Sequence, residues 1–300
     1  MRRHRSESGS VFRRADLTAA GLPRPEIDAL CRDAVIVRRG VYVPSGDSKH
    51  LYARRCEAAL AAVRAGAALA GPSAAFHWDL PLIDVPEAIF LRGLTRGRYA
   101  GGVRLIHGDA EYVLHDGALV TTPAWTVIDC ARLLSRRDGL IIADAVLHEG
   151  LCTVGELRTT LEEAGPLHGI SRARWVVANA DPLSESPGET WTRMVVRDLG
   201  YDVVSQFHVQ TDDGGADIDL LIADTLLGLE FDGRLKYRGK HKGQAENRIV
   251  REKIRQGKLE ELGYHILRVV WDQLHKPAAL DRRIRAKGVR PARRPRPIPY

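Results

Sequence analysis

Two carboxylates, Glu230 and Asp232, close the stretch "GLEFDG" at the end of an apolar run. Successive side chains of a strand point to opposite faces, so residues two apart share one face. Like charges placed in that way repel each other and resist burial unless a cation or a basic group neutralises them. Upstream, "ADIDLLI" sets Asp217 and Asp219 on either side of Ile218. A hairpin joining strands at 218–222 and 227–232 puts Asp219 across from Glu230. Glu189 opens a helix ahead of these strands, and Lys236 follows them in "DGRLKY". Three or four carboxylates then converge beside one ammonium group. Hard oxygen ligands of this kind suit Mg2+ or Mn2+. A divalent ion held there polarises a phosphodiester and helps ionise a bound water. The Lys orients that water or stabilises charge on the phosphate oxygens. The candidate metal ligands are Asp219, Glu230 and Asp232, and Glu189 and Lys236 complete the candidate catalytic set.

Each of these residues also has a plainer use. Ser186, Pro187 and Glu189 in "SPGE" fit a helix N-cap, first position and third position, a capping box. Asp217 alone reads as a turn residue, Glu230 with Asp232 as a solvated strand end, and Lys236 as a surface lysine.

The elements that must position the acids follow a boundary at "ANADPLSESPGE", where Asp, Pro, Ser and Gly accumulate. A helix in "ETWTRMVVRDLG" ends at Gly200. A strand over 203–210, a Gly-Asp turn and the two strands above come next. A helix at about 244–262 and a strand "YHILRVV" complete the order α-β-β-β-α-β over residues 185–275. Arg248, Arg251, Lys253, Arg255 and Lys258 recur along that helix, as a solvated face or as a track for phosphates. His208 and His265 fall within apolar strands and read as structural.

Residues 11–48 show helix, turn, helix, hairpin. "RADLTAAG" ends at Gly21. "LPRPEIDALCRD" carries Pro25 and Glu26 in its first turn, with Ile27, Leu30 and Cys31 on one face. "AVIVRRGVYVP" reads as two strands hinged at "RRG". This is the order of a winged helix-turn-helix, in which the second helix enters the major groove and Arg38 and Arg39 touch phosphate from the wing. Arg24 lies at the start of that second helix. Residues 50–182 mix helices with short strand-like runs over 85–121. "TVGELRTTLEEAG" opens with Thr153 and Glu156 as a capping box. His77, Asp79 and His107 read as core or surface residues rather than ligands.

The chain has 300 residues, 44% apolar and 28% charged, which is the composition of folded domains rather than of a disordered chain. Its net charge of +7 favours an anionic partner, nucleic acid first. Base concentrates in "RRIRAKGVRPARRPRPIPY", residues 282–300, expected to be an extended tail. Cys31, Cys56, Cys130 and Cys152 form no C-x-x-C pair, which argues against a zinc site or a disulfide framework and for a reducing compartment. The basic start "MRRHRSESGS" has no apolar core behind it, and "ALAAVRAGAALAG" is broken by Arg64. The expectation is a cytoplasmic protein that meets DNA and no membrane.

The order Glu in a first helix, Asp219 in a strand, "E-x-D-G" closing the next, then a basic helix and "G-x-x-I-L-R-V" resembles the PD-(D/E)XK nuclease superfamily. Within it the pattern is similar to the branch related to very-short-patch mismatch repair endonucleases, over residues 185–275. The resemblance implies a restriction-endonuclease-like fold and metal-dependent cleavage of DNA. Asp219 matches the family's strand Asp and Glu230 its (D/E), while Asp232 stands where the usual Lys would be. In the mismatch-repair-like branch a His commonly follows three residues after the Gly; here Lys236 takes that place. Residues 11–44, "GPSAAFHWDLPL" and "TTPAWTVIDCARLL" resemble the abortive-infection type IV antitoxin family, with Trp125 where "T-x-P-x-R-T" has Arg. That likeness implies DNA binding and a cognate toxin partner, not catalysis. The expected class is α/β (α+β overall): a winged helix, an α+β middle region and a nuclease-like αβββαβ domain. The expected function is a Mg2+- or Mn2+-dependent endonuclease. The rival is an antitoxin or regulator whose nuclease-fold domain is inactive.

Overall fold

The structure is a computed structural model describing residues 12–32, 34–38, 41–44, 48–63, 66–93, 102–211, 214–233 and 254–292. The class is mixed α/β, and the chain divides into two compact units. One comprises Met1–Ile142 with Gly150–Asn179, the other Ala143–Glu149 with Ala180–Tyr300.

The first unit opens with β1 (Phe12–Arg13), α1 (Arg14–Ala19), α2 (Arg24–Arg32), β2 (Ala34–Arg38) and β3 (Val41–Pro44). Gly21, at φ +78°, turns the chain between the helices in the left-handed region that glycine enters without strain. β3 pairs antiparallel with both β2 and β1. The apolar face expected for α2 is narrower than its spacing suggests: Ile27 is buried, Cys31 half-buried and Leu30 45% exposed. After α3 (Ser48–Ala62) come β4 (Ala68–Leu69), α4 (Gly71–His77), β5 (Ile89–Arg92), β6 (Val103–Leu105), β7 (Tyr112–His115) and β8 (Ala118–Thr121). These five strands form a sheet in the order β6-β5-β4-β8-β7. Tyr52, Cys56, Leu69, Ile89, Leu91 and Val120 form a core on it.

Helices α5 (Pro123–Leu133), α6 (Arg136–His148), α7 (Val154–Glu163) and α8 (Ile170–Asn179) follow. The capping box of α7 is present, with Glu156 N donating to Thr153 Oγ1 at 3.2 Å and Thr153 N donating to Glu156 Oε2 at 2.7 Å. The sequence reading passed over α8, whose Ile170, Ala173, Val176 and Val177 are buried at helical spacing. It also missed a buried ion pair. Arg92 grips Asp129 with two donors, at 2.8 and 2.6 Å, and Arg132 adds a third at 3.0 Å. One carboxylate faces two guanidiniums, and backbone oxygens take further donors: Arg92 Nη1 donates to Gly108 O and Arg132 Nε to His168 O, both at 2.9 Å, so the cluster serves the fold.

The second unit contains α9 (Pro187–Asp198), β9 (Val203–Val209), β10 (Ala216–Ile222) and β11 (Leu227–Phe231). A helix α10 follows, of which 254–261 are described. Then come β12 (His265–Val269), α11 (Trp271–Leu274) and α12 (Pro277–Ala286). The sheet order is β12-β11-β10-β9, antiparallel except for the parallel pair β11 and β12. A parallel neighbour requires a crossover, and α10 lies in it. One face of the sheet packs on Trp191, Val195 and Val196 of α9 and on Leu280 and Ile284 of α12. Leu259 of α10 joins Ile218 and Leu221 on the other.

The C-terminal reading needs correction here. Residues 282–286, expected to belong to an extended basic tail, are helical, and Leu280 and Ile284 are 0% exposed. Apolar residues four apart make a buried helix stripe, and the surrounding arginines obscured it. The compact unit also reaches outside 185–275. Asp144 accepts from Thr190 Oγ1 at 2.8 Å, from Arg193 and from Asp181 N at 2.8 Å.

Candidate functional site

The site lies where β10 begins and β11 ends. Leu220 pairs with Leu229 and Leu221 with Gly228, which brings Asp219 level with Glu230 on the neighbouring strand. Strict alternation would hold Ala216, Ile218, Leu220 and Ile222 on one face of β10. Instead Ala216 and Ile218 pack with Leu259 of α10, whereas Leu220 and Ile222 pack on the α9 side. The face changes at Asp219. Across from it on β9, Gln206 has φ +45°, a left-handed conformation that is unusual within a strand. Such irregularities cost energy and locally re-aim side chains.

Gln206 Nε2 donates to Glu189 Oε2 at 3.0 Å. The same oxygen accepts from Glu185 N at 3.0 Å, and Ser186 Oγ donates to Glu189 Oε1 at 2.6 Å. Glu189 N in turn donates to Ser186 Oγ at 3.2 Å. Glu189 is therefore buried and occupied with capping α9 and tying it to β9.

Asp219 and Glu230 are arranged alike. Phe231 N donates to Asp219 Oδ2 at 3.0 Å, and Arg255 Nη2 donates to Glu230 Oε1 at 2.7 Å. Asp219 Oδ1 and Glu230 Oε2 accept no hydrogen bond among the described residues. Burial pushes the Asp219 carboxyl up to about 7; the Phe231 amide opposes this, and Glu189 and Glu230 add to it. Burial is the largest cause, and Arg255 works against the shift as well. Asp232 lies just beyond β11, its backbone N donating to Val269 O at 2.8 Å and its carboxylate 3.8 Å from Arg268 Nη1. Asp217, Asp219, Glu230, Phe231, Asp232, Arg255 and Arg268 line one cleft of about 370 Å³.

The structure thus brings Asp219, Glu230 and Asp232 to one cleft, with Arg255 and Arg268 interleaved among them. Among the described residues no three His, Cys, Asp or Glu side chains are gathered as a ready-made metal cluster. Asp217 belongs to β10 rather than to a turn, and its Oδ1 is 2.7 Å from His208 Nδ1. His208, read as structural, is exposed beside it. Arg255, expected on a DNA-facing helix, bonds Glu230 and also donates from Nη1 to Asp217 O at 3.0 Å. Arg24 is exposed at the start of α2, and Arg38 closes β2. Lys236, Arg39, Arg248 and Arg251 lie outside the described residues. The sequence reading missed Arg268 and Gln206. An arginine within the apolar "YHILRVV" was a signal for the first; nothing local marks the second.

As donors, two open carboxylate oxygens on adjacent strands, with Asp232 at the same cleft, fit a hard divalent cation.

No family model matches the chain. It is 33% identical over 171 residues to two uncharacterised proteins of Mycobacterium tuberculosis, MT2308 of strain CDC 1551 and Rv2248 of strain H37Rv. The matched region is 56% of this chain, and the chain spans 61% of the length of these relatives. The crystal structure of the Rv2827c protein of the same organism matches with a TM-score of 0.40 and 19% identity, over 61% of this chain and 75% of that one. Likeness at that level carries no argument about fold or function.

Proposed function

We propose that this is a DNA-binding protein whose second unit cleaves DNA phosphodiester bonds with Mg2+ or Mn2+. One observation carries the reading: at the same cleft, Asp219 and Glu230 each have one oxygen tied to a fixed donor and another that accepts no hydrogen bond among the described residues. Asp219, Glu230 and Asp232 would hold the ion, which when bound would polarise the phosphodiester and lower the pKa of a water. The chain's own groups do the rest. The Arg268 guanidinium, 44% exposed at the cleft, is placed to receive a phosphate oxygen. Glu189 keeps α9 against β9 and so fixes the back of the site. Lys236 remains the candidate for orienting the attacking water.

The order α9-β9-β10-β11-α10-β12 supports the finer reading of this unit as a restriction-endonuclease-like core. The order α1, α2, β2, β3 supports a winged helix-turn-helix, with Arg24, Arg38 and Arg39 as its DNA contacts. Arg248 and Arg251 are proposed to add phosphate contacts on the nuclease side. The direct test incubates supercoiled plasmid with the full chain in Mg2+ or Mn2+, and separately in EDTA. Nicked or linear product that requires the metal supports the reading.

A second reading is favoured by specific observations. Asp232 stands in place of a strand Lys, and Arg255 already supplies positive charge to Glu230. The chain would then be an antitoxin-like regulator that binds DNA, and a cognate toxin, through an inactive nuclease fold. Tight DNA binding with no cleavage in either metal selects it.

A further inference from the structure

We propose that Arg255 is a positioning residue for Glu230: it fixes the carboxylate so that Oε2 is presented to the divalent ion. The inference rests on the reading of the cleft as a metal site. The guanidinium holds two acceptors at once, Glu230 Oε1 at 2.7 Å and the backbone oxygen of Asp217 at 3.0 Å. The second bond ties the group to β10, so a planar fork spans β10 and β11 and can swing from neither.

Glu230 is the side chain that needs such help. A glutamate has three rotatable side-chain bonds, and a ligand that must be ordered as the ion arrives binds it less well. Asp219 is shorter and is already held by a backbone amide of the sheet. Both carboxylates thus follow one rule: one oxygen goes to a donor fixed in the fold, the other to the cleft.

Two other roles for Arg255 give different outcomes. As a resident charge that competes with the ion, its removal would tighten metal binding. As a phosphate contact only, its removal would leave metal binding without DNA unchanged.

The experiment is a Mn2+ titration of the full chain without nucleic acid, followed by electron paramagnetic resonance. It compares the wild type, Arg255→Met and Arg255→Lys. Loss of a group that orients a metal ligand commonly weakens binding about 10- to 100-fold, and that loss is expected for Arg255→Met. Arg255→Lys keeps the charge, but one ammonium does not reproduce the planar fork, so it should stay at least about tenfold weaker than wild type. Its melting temperature without metal should fall by only a few degrees, because Lys keeps the charge beside Glu230. Wild-type affinity in either folded variant, or tighter binding in Arg255→Met, overturns the proposal. Should Arg255→Met not fold, the Lys variant alone decides. A wild type that binds no Mn2+ removes the metal-site reading itself, a result distinct from equal binding by all three proteins.

Discussion

At the scale of single residues, Asp219 links burial to chemistry. In the metal-free protein its proton is held to about 7, against an ordinary 3.8. Below the lower value both folded and unfolded states carry the proton, and the contribution to stability is fully present. Between the two values only the unfolded chain releases it, so stability falls as pH rises and the contribution is lost above about 7. Asp219→Asn carries no titrating proton. In EDTA, the unfolding free energy of the wild type relative to Asp219→Asn should therefore decline between about pH 4 and about pH 7. A difference that stays constant across that range would show that Asp219 ionises normally. Bound metal should offset the repulsion and raise the melting temperature by mass action. Glu230→Gln, which keeps shape and loses the charge, should show no such rise; an undiminished rise would place the ion elsewhere.

At the scale of elements, α9 is fixed against β11 by the close approach of Gly188 to Phe231. A Cβ on Gly188 would come within about 2.0 Å of the Phe231 ring, which also stacks edge-on against Trp271 at 4.7 Å. Gly188→Ala gains about 1 kcal/mol of helix propensity. Overpacking of a filled site costs about 1–3 kcal/mol, so the clash should win. Urea unfolding should show net destabilisation, partly relieved by Phe231→Leu; a stabilised Gly188→Ala would mean that the ring moves aside freely. The strands and the Ser186 cap were legible in the sequence because alternation and capping are local rules. The pairing of Asp219 with Glu230 was legible too, since a short hairpin fixes its own register. The change of face at Asp219 was not, because Gln206 adopts its left-handed backbone on another strand. Nor was the tie between Arg255 and Glu230, which depends on how a helix crosses the sheet. Charge in "RRIRAKGVRPARRPRPIPY" outweighed the apolar spacing that makes the end of α12 a core helix.

At the scale of the molecule, the second unit is discontinuous in sequence. It takes Ala143–Glu149 together with Ala180–Tyr300, and Asp144 is buried with Arg193. Removing Asp144 takes away the nearest carboxylate of Arg193 and leaves Asp181 at 3.6 Å; losing such charged hydrogen bonds costs about 1.5–3 kcal/mol. Asp144→Ala should therefore lower the stability of this unit by an amount of that order in denaturant unfolding. A fragment of residues 180–292 should share the defect, and one ending at 275 should fare worse, since it also loses Leu280 and Ile284. A loss below about 0.5 kcal/mol for Asp144→Ala would show that the contact is incidental. The central claim is that Asp219 and Glu230 together hold a divalent ion, and titration calorimetry of Mn2+ into wild type, Asp219→Asn and Glu230→Gln tests it most directly. The account predicts binding by the wild type that is abolished in both variants while their folds persist; equal binding by all three proteins would contradict it.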